Sequence, residues 1–156
     1  MSHLSSPAPV LFSLSLGKKQ IGWAMSNERG HVMSGTGTFE SNKFEQEDVW
    51  CLKFAKWLKE VKIIMGKIDA VYTQSTRSGV NACKGLLGVL SLWTQQHEIT
   101  HKEVPLKLIK EHITGNPKTP KKSIKAYIYA LGHNPDSDSE ALALSLIHIS
   151  EPTRPY

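Results

Sequence analysis

A polar run near residue 140 holds the residue types best suited to metal chemistry. The run, Asp136-Ser137-Asp138-Ser139-Glu140, combines three carboxylates with two hydroxyls just before an apolar segment. Carboxylate oxygens are the ligands that Mg²⁺ prefers, so Asp136, Asp138 and Glu140 are candidate metal ligands. In a helix that begins early enough, Asp136 and Glu140 would share one face at their i,i+4 spacing. The alternative is that these residues cap the helix and suit its dipole.

A second group of candidate residues is basic. Between Lys102 and Tyr127 there are seven lysines and two acids, so this stretch carries +5, as much as the whole chain. Such a stretch is typical of a protein that binds a phosphate backbone, although a solvated surface or an acidic protein partner would also account for it. The helix dipole disfavours lysines at a helix start, which favours a phosphate-facing role for Lys121 and Lys122. The candidate DNA-binding residues are Lys118, Lys121, Lys122, Lys125 and Arg77.

Length and composition limit the classes of protein to consider. The 156 residues, 40% hydrophobic and 21% charged, predict one folded domain with its own core. Cys51 and Cys83 form no CxxC motif and the seven histidines show no paired ligand spacing, which argues against a zinc site and favours a reduced, cytoplasmic compartment. No apolar run reaches the ~20 residues of a membrane span. The first residues lack the basic region of a secretory signal.

The elements that position these residues follow from hydrophobic periodicity. Apolar or alternating runs predict strands at 10–16, 21–26, 31–39, 68–73 and 98–104. Helices are predicted at 45–65, 79–96, 106–113, 121–131 and from 140 onward. In the first helix one inward face is predicted from the spacing of Trp50, Phe54, Trp57, Val61 and Ile64. The predicted fold class is α/β, with a mixed five-stranded sheet of three antiparallel strands followed by βα units, and helices on both faces.

Four stretches, in this order, resemble the RuvC family of Holliday-junction resolvases, which have an RNase H-like fold. They are residues 14–24, 69–74, 115–122 and 136–143, within a resemblance that runs over roughly residues 10 to 143. The resemblance implies a metal-dependent endodeoxyribonuclease. In such an enzyme carboxylates from separate elements hold two divalent ions, which activate water and stabilise the leaving oxygen. It also implies branched or four-way DNA as the partner, and a homodimer built partly on the helix at 79–96.

The sequence departs from the family pattern at the catalytic positions. Ser15 stands where the family has its first Asp, Gln74 where it has a Glu, and Ser137 where the closing motif has an Asp. Glu140 replaces the last Asp and is the one acid that remains, while Lys121 matches the functional lysine. Neutral hydroxyl and amide oxygens are weak ligands for Mg²⁺. We therefore expect the two-metal site to be impaired.

Three functional hypotheses follow. The first is a RuvC-like protein that binds branched or duplex DNA with a degenerate nuclease centre. The second is an active Mg²⁺-dependent resolvase that uses Glu140 with Asp136 or Asp138 in a rearranged site. The third is a non-enzymatic interaction protein whose lysines meet an acidic partner.

The two ends of the chain are expected to lie outside the domain. Residues 1–8 read as a disordered leader of Ser, Pro and Ala. Residues 144–154 resemble the translation of a transposon-end adapter used to prepare sequencing libraries, so residues 144–156 are predicted to be a non-native tail. The predicted RuvC-like domain is therefore 9–143, and no function is drawn from the residues after it, although the last helix is expected to continue into them.

Overall fold

The computed structural model describes residues 8–16, 20–38, 47–75 and 81–150. In these ranges the strands are β1 Leu11–Leu16, β2 Ile21–Ser26, β3 Val32–Gly37, β4 Ala70–Ser75 and β5 Thr100–Glu103. The helices are α1 Glu47–Met65, α2 Asn81–Gln96, α3 Leu106–Thr114, α4 Ile124–Ala130 and α5 Asp138–Ser150, with a 3₁₀ turn, Lys121–Ser123, before α4. Residues 1–7 of the predicted leader lie outside the described residues. None of the described helices is long and apolar enough to cross a membrane.

The five strands form one mixed sheet in the order β3-β2-β1-β4-β5. β1 pairs antiparallel with β2 and parallel with β4, and β4 pairs parallel with β5. The predicted α/β fold with its antiparallel strands and βα units is therefore confirmed. Because β1 and β4 run in the same direction, their carboxyl ends meet at one edge of the sheet, where Ser15 lies opposite Gln74.

Helices cover both faces of the sheet, as the sequence predicts. Alternate residues of β1 point to opposite faces, as the twofold period of a strand requires. Phe12, Leu14 and Leu16 pack into a core with α1 and α2. Leu11 packs into the second core, with α3, α4 and α5. Ser13 also faces α5, since its hydroxyl donates a 2.6 Å hydrogen bond to the carbonyl of Ala143.

The inward face of α1 differs in part from its prediction. Phe54 and Val61 are buried as expected, but Ile64 is 79% exposed, so its assignment to the inward face is wrong. The buried line instead continues from Val61 to Met65, which packs partly buried against the core. At 3.6 residues per turn Ile64 is rotated by roughly 80° from that line. Trp57 stays in contact with the core, its ring centroid 5.8 Å from that of Phe12.

The last helix begins earlier than predicted and extends beyond residue 143. α5 starts at Asp138 and continues to Ser150. Leu144, Leu146 and Ile147 are buried in the second core, together with residues of α3 and α4. The first seven residues of the adapter-like segment are thus part of the last helix, as expected. The foreign origin of the segment, and the domain boundary at 143, stay predictions.

Candidate functional site

Ser15 and Gln74 form a buried polar pair at the carboxyl ends of β1 and β4. The two residues are opposite each other in the parallel register, and the Ser15 hydroxyl donates to Gln74 Oε1 over 3.1 Å. Only 2% of Ser15 and none of Gln74 is exposed. Buried polar groups are costly unless they are hydrogen-bonded, so this contact stabilises the pair. Two neutral side chains that bind each other thus occupy two of the predicted catalytic positions.

A close backbone contact places the start of α5 over this pair. Gly22 of β2 is the antiparallel neighbour of Ser15. A Cβ atom at Gly22 would lie 2.0 Å from the carbonyl carbon and oxygen of Ser139, and 2.4 Å from the nitrogen of Glu140. Only glycine leaves room for this approach. The strand backbone therefore supports the first turn of α5 directly, which brings Ser137 and Glu140 to the same edge of the sheet.

Ser137 and Glu140 together cap α5. The Ser137 hydroxyl accepts the backbone N–H of Glu140 at 3.0 Å, and the Ser137 carbonyl accepts that of Ala141 at 3.1 Å. Glu140 Oε1 accepts the N–H of Asp136 at 2.9 Å. This arrangement is close to a capping box, whose Ser-x-x-Glu spacing is visible in the sequence. The capping interpretation therefore describes Ser137 and Glu140 as they stand in the structure.

The acids on either side of Ser137 are placed differently from Glu140. Asp136 precedes the first residue of α5, so the i,i+4 geometry of a helix does not relate it to Glu140. Asp136 contacts Glu140 through its backbone N–H. Both Asp136 and Asp138 are exposed, whereas Glu140 is only 4% exposed. The structure thus brings Glu140 alone of the three acids into the buried site.

Two hydroxyls of β3 complete the site, and sequence analysis did not identify them. Ser34 donates to Glu140 Oε2 at 2.6 Å. Thr36 lies 2.7 Å from the Ser137 hydroxyl and 3.5 Å from Glu140 Oε1. The i,i+2 spacing places both side chains on one face of the strand. This i,i+2 spacing of hydroxyl residues is the only sign of them in the sequence, and it does not indicate that they contact residues near position 140.

These residues do not fit a two-metal centre. Two divalent ions need several carboxylates, but this site offers one, and both of its oxygens already accept N–H or O–H hydrogens. Ser15, Gln74 and Ser137 contribute only neutral oxygens. Across the described part of the chain, no group of three or more His, Cys, Asp or Glu side chains could hold a metal ion.

One of the predicted basic residues, Lys125, approaches the site from α4. Lys125 Nζ donates to the carbonyl of Asp136 at 3.4 Å, and Asp136 in turn binds Glu140. Lys118 and Lys122 are exposed on the segment that leads to α4. Lys121 begins the 3₁₀ turn, but its side chain lies outside what the structure describes, and Arg77 lies outside the described residues altogether. Of the DNA-binding candidates, Lys125 is the one whose described contact places it at the rim of the site.

Two known structures with the same architecture are of a protein from Thermus thermophilus. No protein-family model matches the sequence, and no curated protein matches it significantly. The structure of T. thermophilus RuvC has a TM-score of 0.68 at 14% identity, covering 92% of this chain and 94% of that one. T. thermophilus RuvC in complex with a Holliday junction substrate has a TM-score of 0.71 at 14% identity, covering 93% of this chain and 95% of that one. The chain therefore has the RuvC-type, RNase H-like fold that its sequence predicts.

Proposed function

We propose that this chain binds branched DNA and that its two-metal nuclease centre is impaired. The observation that carries the proposal is the hydrogen-bonded pair of Ser15 and Gln74 beside the enclosed carboxylate of Glu140. Every polar group named at this edge is held by another group of the protein. The site is therefore built to be stable without an ion.

Hydrolysis of a phosphodiester at this edge would lack the two metal ions and the general base that normally promote it. In two-metal nucleases the ions activate the attacking water and stabilise the leaving oxygen. Ser15 and Gln74 cannot act as a general base, because neither side chain titrates near neutral pH. Glu140 is buried, and the hydrogen bonds it accepts direct its oxygens toward Ser34 and Asp136. We infer that this chain positions DNA and leaves the backbone intact.

DNA binding is supported by the fold and by the basic surface. RuvC of T. thermophilus, whose fold this chain shares, has been solved with a Holliday junction. Lys118, Lys122 and Lys125 are exposed or lie at the site rim, within a stretch that carries the full net charge of the chain. Each lysine that neutralises a phosphate releases a counterion, so affinity should fall as salt rises.

The test is a binding and cleavage assay on a four-way junction and on a linear duplex of the same sequence. We expect the protein to shift the junction at low salt, and to cleave neither DNA in Mg²⁺ or Mn²⁺. Metal-dependent nicking that disappears in Glu140→Gln would contradict the impaired centre and favour the rearranged resolvase with Asp136 or Asp138. Glutamine suits this control because it keeps one acceptor oxygen, and the Ser34 hydroxyl can accept from its amide.

The same assay tests the third hypothesis. A protein that shifts neither DNA at low salt would refute the DNA-binding proposal and favour an acidic protein partner. The resemblance also implies a homodimer built partly on α2, where Leu92 is an exposed apolar residue. Sedimentation velocity over a range of protein concentrations tests that state independently of DNA binding.

A further inference from the structure

An exposed tyrosine lies on α4, beside the basic residues. Tyr129 is 66% exposed, whereas Ile124 and Ile128 of the same helix are fully buried. Most of this side chain is therefore in contact with water, although aromatic rings usually bury a large apolar surface. The two isoleucines hold the helix against α5, so the ring projects from a packed element.

Tyr129 and Lys125 share one side of α4. They are four residues apart, which places them on one flank of the helix, and Lys122 lies in the 3₁₀ turn just before it. At 3.6 residues per turn, Lys125 and Tyr129 differ in direction by roughly 40°. Tyr127 lies two residues from Tyr129 and points to the opposite flank, roughly 160° away. We call the side of α4 with Lys125 and Tyr129 the α4 basic flank.

Lys125 connects the α4 basic flank to the polar site. Lys125 Nζ contacts the carbonyl of Asp136 at 3.4 Å, and the N–H of Asp136 contacts Glu140 at 2.9 Å. The lysine end of the flank therefore lies at the rim of the polar site. A DNA branch held at the sheet edge would have phosphates within reach of Lys125.

We propose that Tyr129 is a stacking platform for an unpaired base. Aromatic rings beside a positively charged track are the usual arrangement for single-stranded nucleic acid, because every base has a flat face that can stack. Bases inside a continuous duplex are stacked on their neighbours and offer no free face. The ligand class is therefore branched DNA with unpaired nucleotides next to the branch point, such as a gapped or flapped junction. This inference rests on the DNA binding proposed above.

The test compares a junction that carries an unpaired gap with the same junction fully paired. Affinities are measured for the wild type, Tyr129→Ala, Tyr129→Phe and Tyr127→Ala over a range of salt. The loss of one stacked base should weaken binding to the gapped junction by about 5- to 150-fold in Tyr129→Ala. The phenyl ring of Tyr129→Phe still stacks, so its affinity should match the wild type. Tyr127→Ala, on the opposite flank, should also match it.

Two further measurements separate stacking from charge and from folding. A stacking ring neutralises no phosphate and releases no counterion, so the slope of log affinity against log salt should not change in Tyr129→Ala, whereas Lys125→Ala should reduce it. Tyr129→Ala should unfold at the same temperature as the wild type. If the wild type binds the gapped junction and Tyr129→Ala binds it equally well, the inference is wrong and the proposed function stands. If the wild type binds no DNA, both are wrong.

Discussion

The hydrogen bond between Ser34 and Glu140 offers a direct test of a site held together without metal. The Ser34 hydroxyl lies 2.6 Å from Glu140 Oε2, and the glutamate is 4% exposed. Hydrogen bonds to a charged group contribute about 1.5–3 kcal/mol, roughly twice those between neutral groups. Ser34→Ala should therefore lower the free energy of unfolding by about 1.5–3 kcal/mol.

A double-mutant cycle isolates this interaction. In the Glu140→Gln background the partner is neutral, so Ser34→Ala should cost only about 0.5–1.5 kcal/mol. The difference between the two backgrounds, about 1 kcal/mol or more, is the coupling energy that the charge contributes. The assay is urea denaturation at neutral pH in the presence of a chelator, with circular dichroism as the readout.

Ser26→Ala is the matched control. Ser26 is a fully buried serine on the neighbouring strand, and its hydroxyl has no hydrogen-bond partner within the described chain. Its removal should leave stability unchanged or raise it, because a buried unsatisfied group is unfavourable. A loss below about 0.5 kcal/mol in Ser34→Ala, or an equal loss in both backgrounds, would refute the reasoning.

Magnesium gives a second arm of the same experiment. An ion that binds only the folded state at 100 times its dissociation constant would add about 2.7 kcal/mol to the free energy of unfolding. We expect millimolar Mg²⁺ to leave the urea midpoint unchanged. A clear rise that disappears in Glu140→Gln would show that the carboxylate binds the ion, in conflict with the donor set described here.

Four further predictions concern other parts of the chain. Lys125→Ala should reduce the slope of log affinity against log salt by about 0.9, as measured on a four-way junction. Gly22→Ala should abolish the native fold and with it the cooperative unfolding transition, because the new Cβ would overlap the α5 backbone. Gly88→Ala, on an open helix surface, should instead raise the free energy of unfolding by about 0.5–1 kcal/mol in urea denaturation. Burial lowers the pKa of His101 and of His133, so just below pH 6.5 the unfolded chain binds more protons than the folded chain. Protonation therefore favours unfolding, and the urea midpoint should fall as the pH drops through that range. A chain that ends at residue 143 tests the predicted domain boundary: because Leu144, Leu146 and Ile147 are buried, it should show no cooperative unfolding by circular dichroism, whereas a cooperative transition would support that boundary.

Periodic apolar residues made most of the fold predictable. The strand pattern gave the mixed sheet, and Ile124 and Ile128 are buried as their spacing indicates. Ile64 was assigned to the inward face of α1 because it lies three residues after Val61. A residue four positions after Val61 fits the same face equally well, and only packing against the core decides between them. The predicted helix at 121–131 is a 3₁₀ turn followed by α4, because Pro120 and Ser123 form a turn before the helix begins.

The site was predictable only where it matches a family pattern. Ser15 and Gln74 were identified because the resemblance places catalytic residues there, and the parallel register brings them together. Ser34 and Thr36 were missed because their contacts with α5 span more than 100 residues of sequence. Hydroxyls on an edge strand show no periodicity that distinguishes a buried hydrogen bond from contact with solvent.

The burial of Ser15 and Gln74 has an evolutionary consequence. For a sequence that descends from a carboxylate-bearing ancestor, each single reversion to Asp or Glu at these positions would place a charge where almost no water reaches. Without a cation or hydrogen-bond donors of the kind that hold Glu140, such a charge destabilises the fold by several kcal/mol. Ancestral carboxylates would have to return together to bind an ion again. On the proposed function, a lost metal site would be hard to regain, and selection on DNA binding alone would keep the neutral pair.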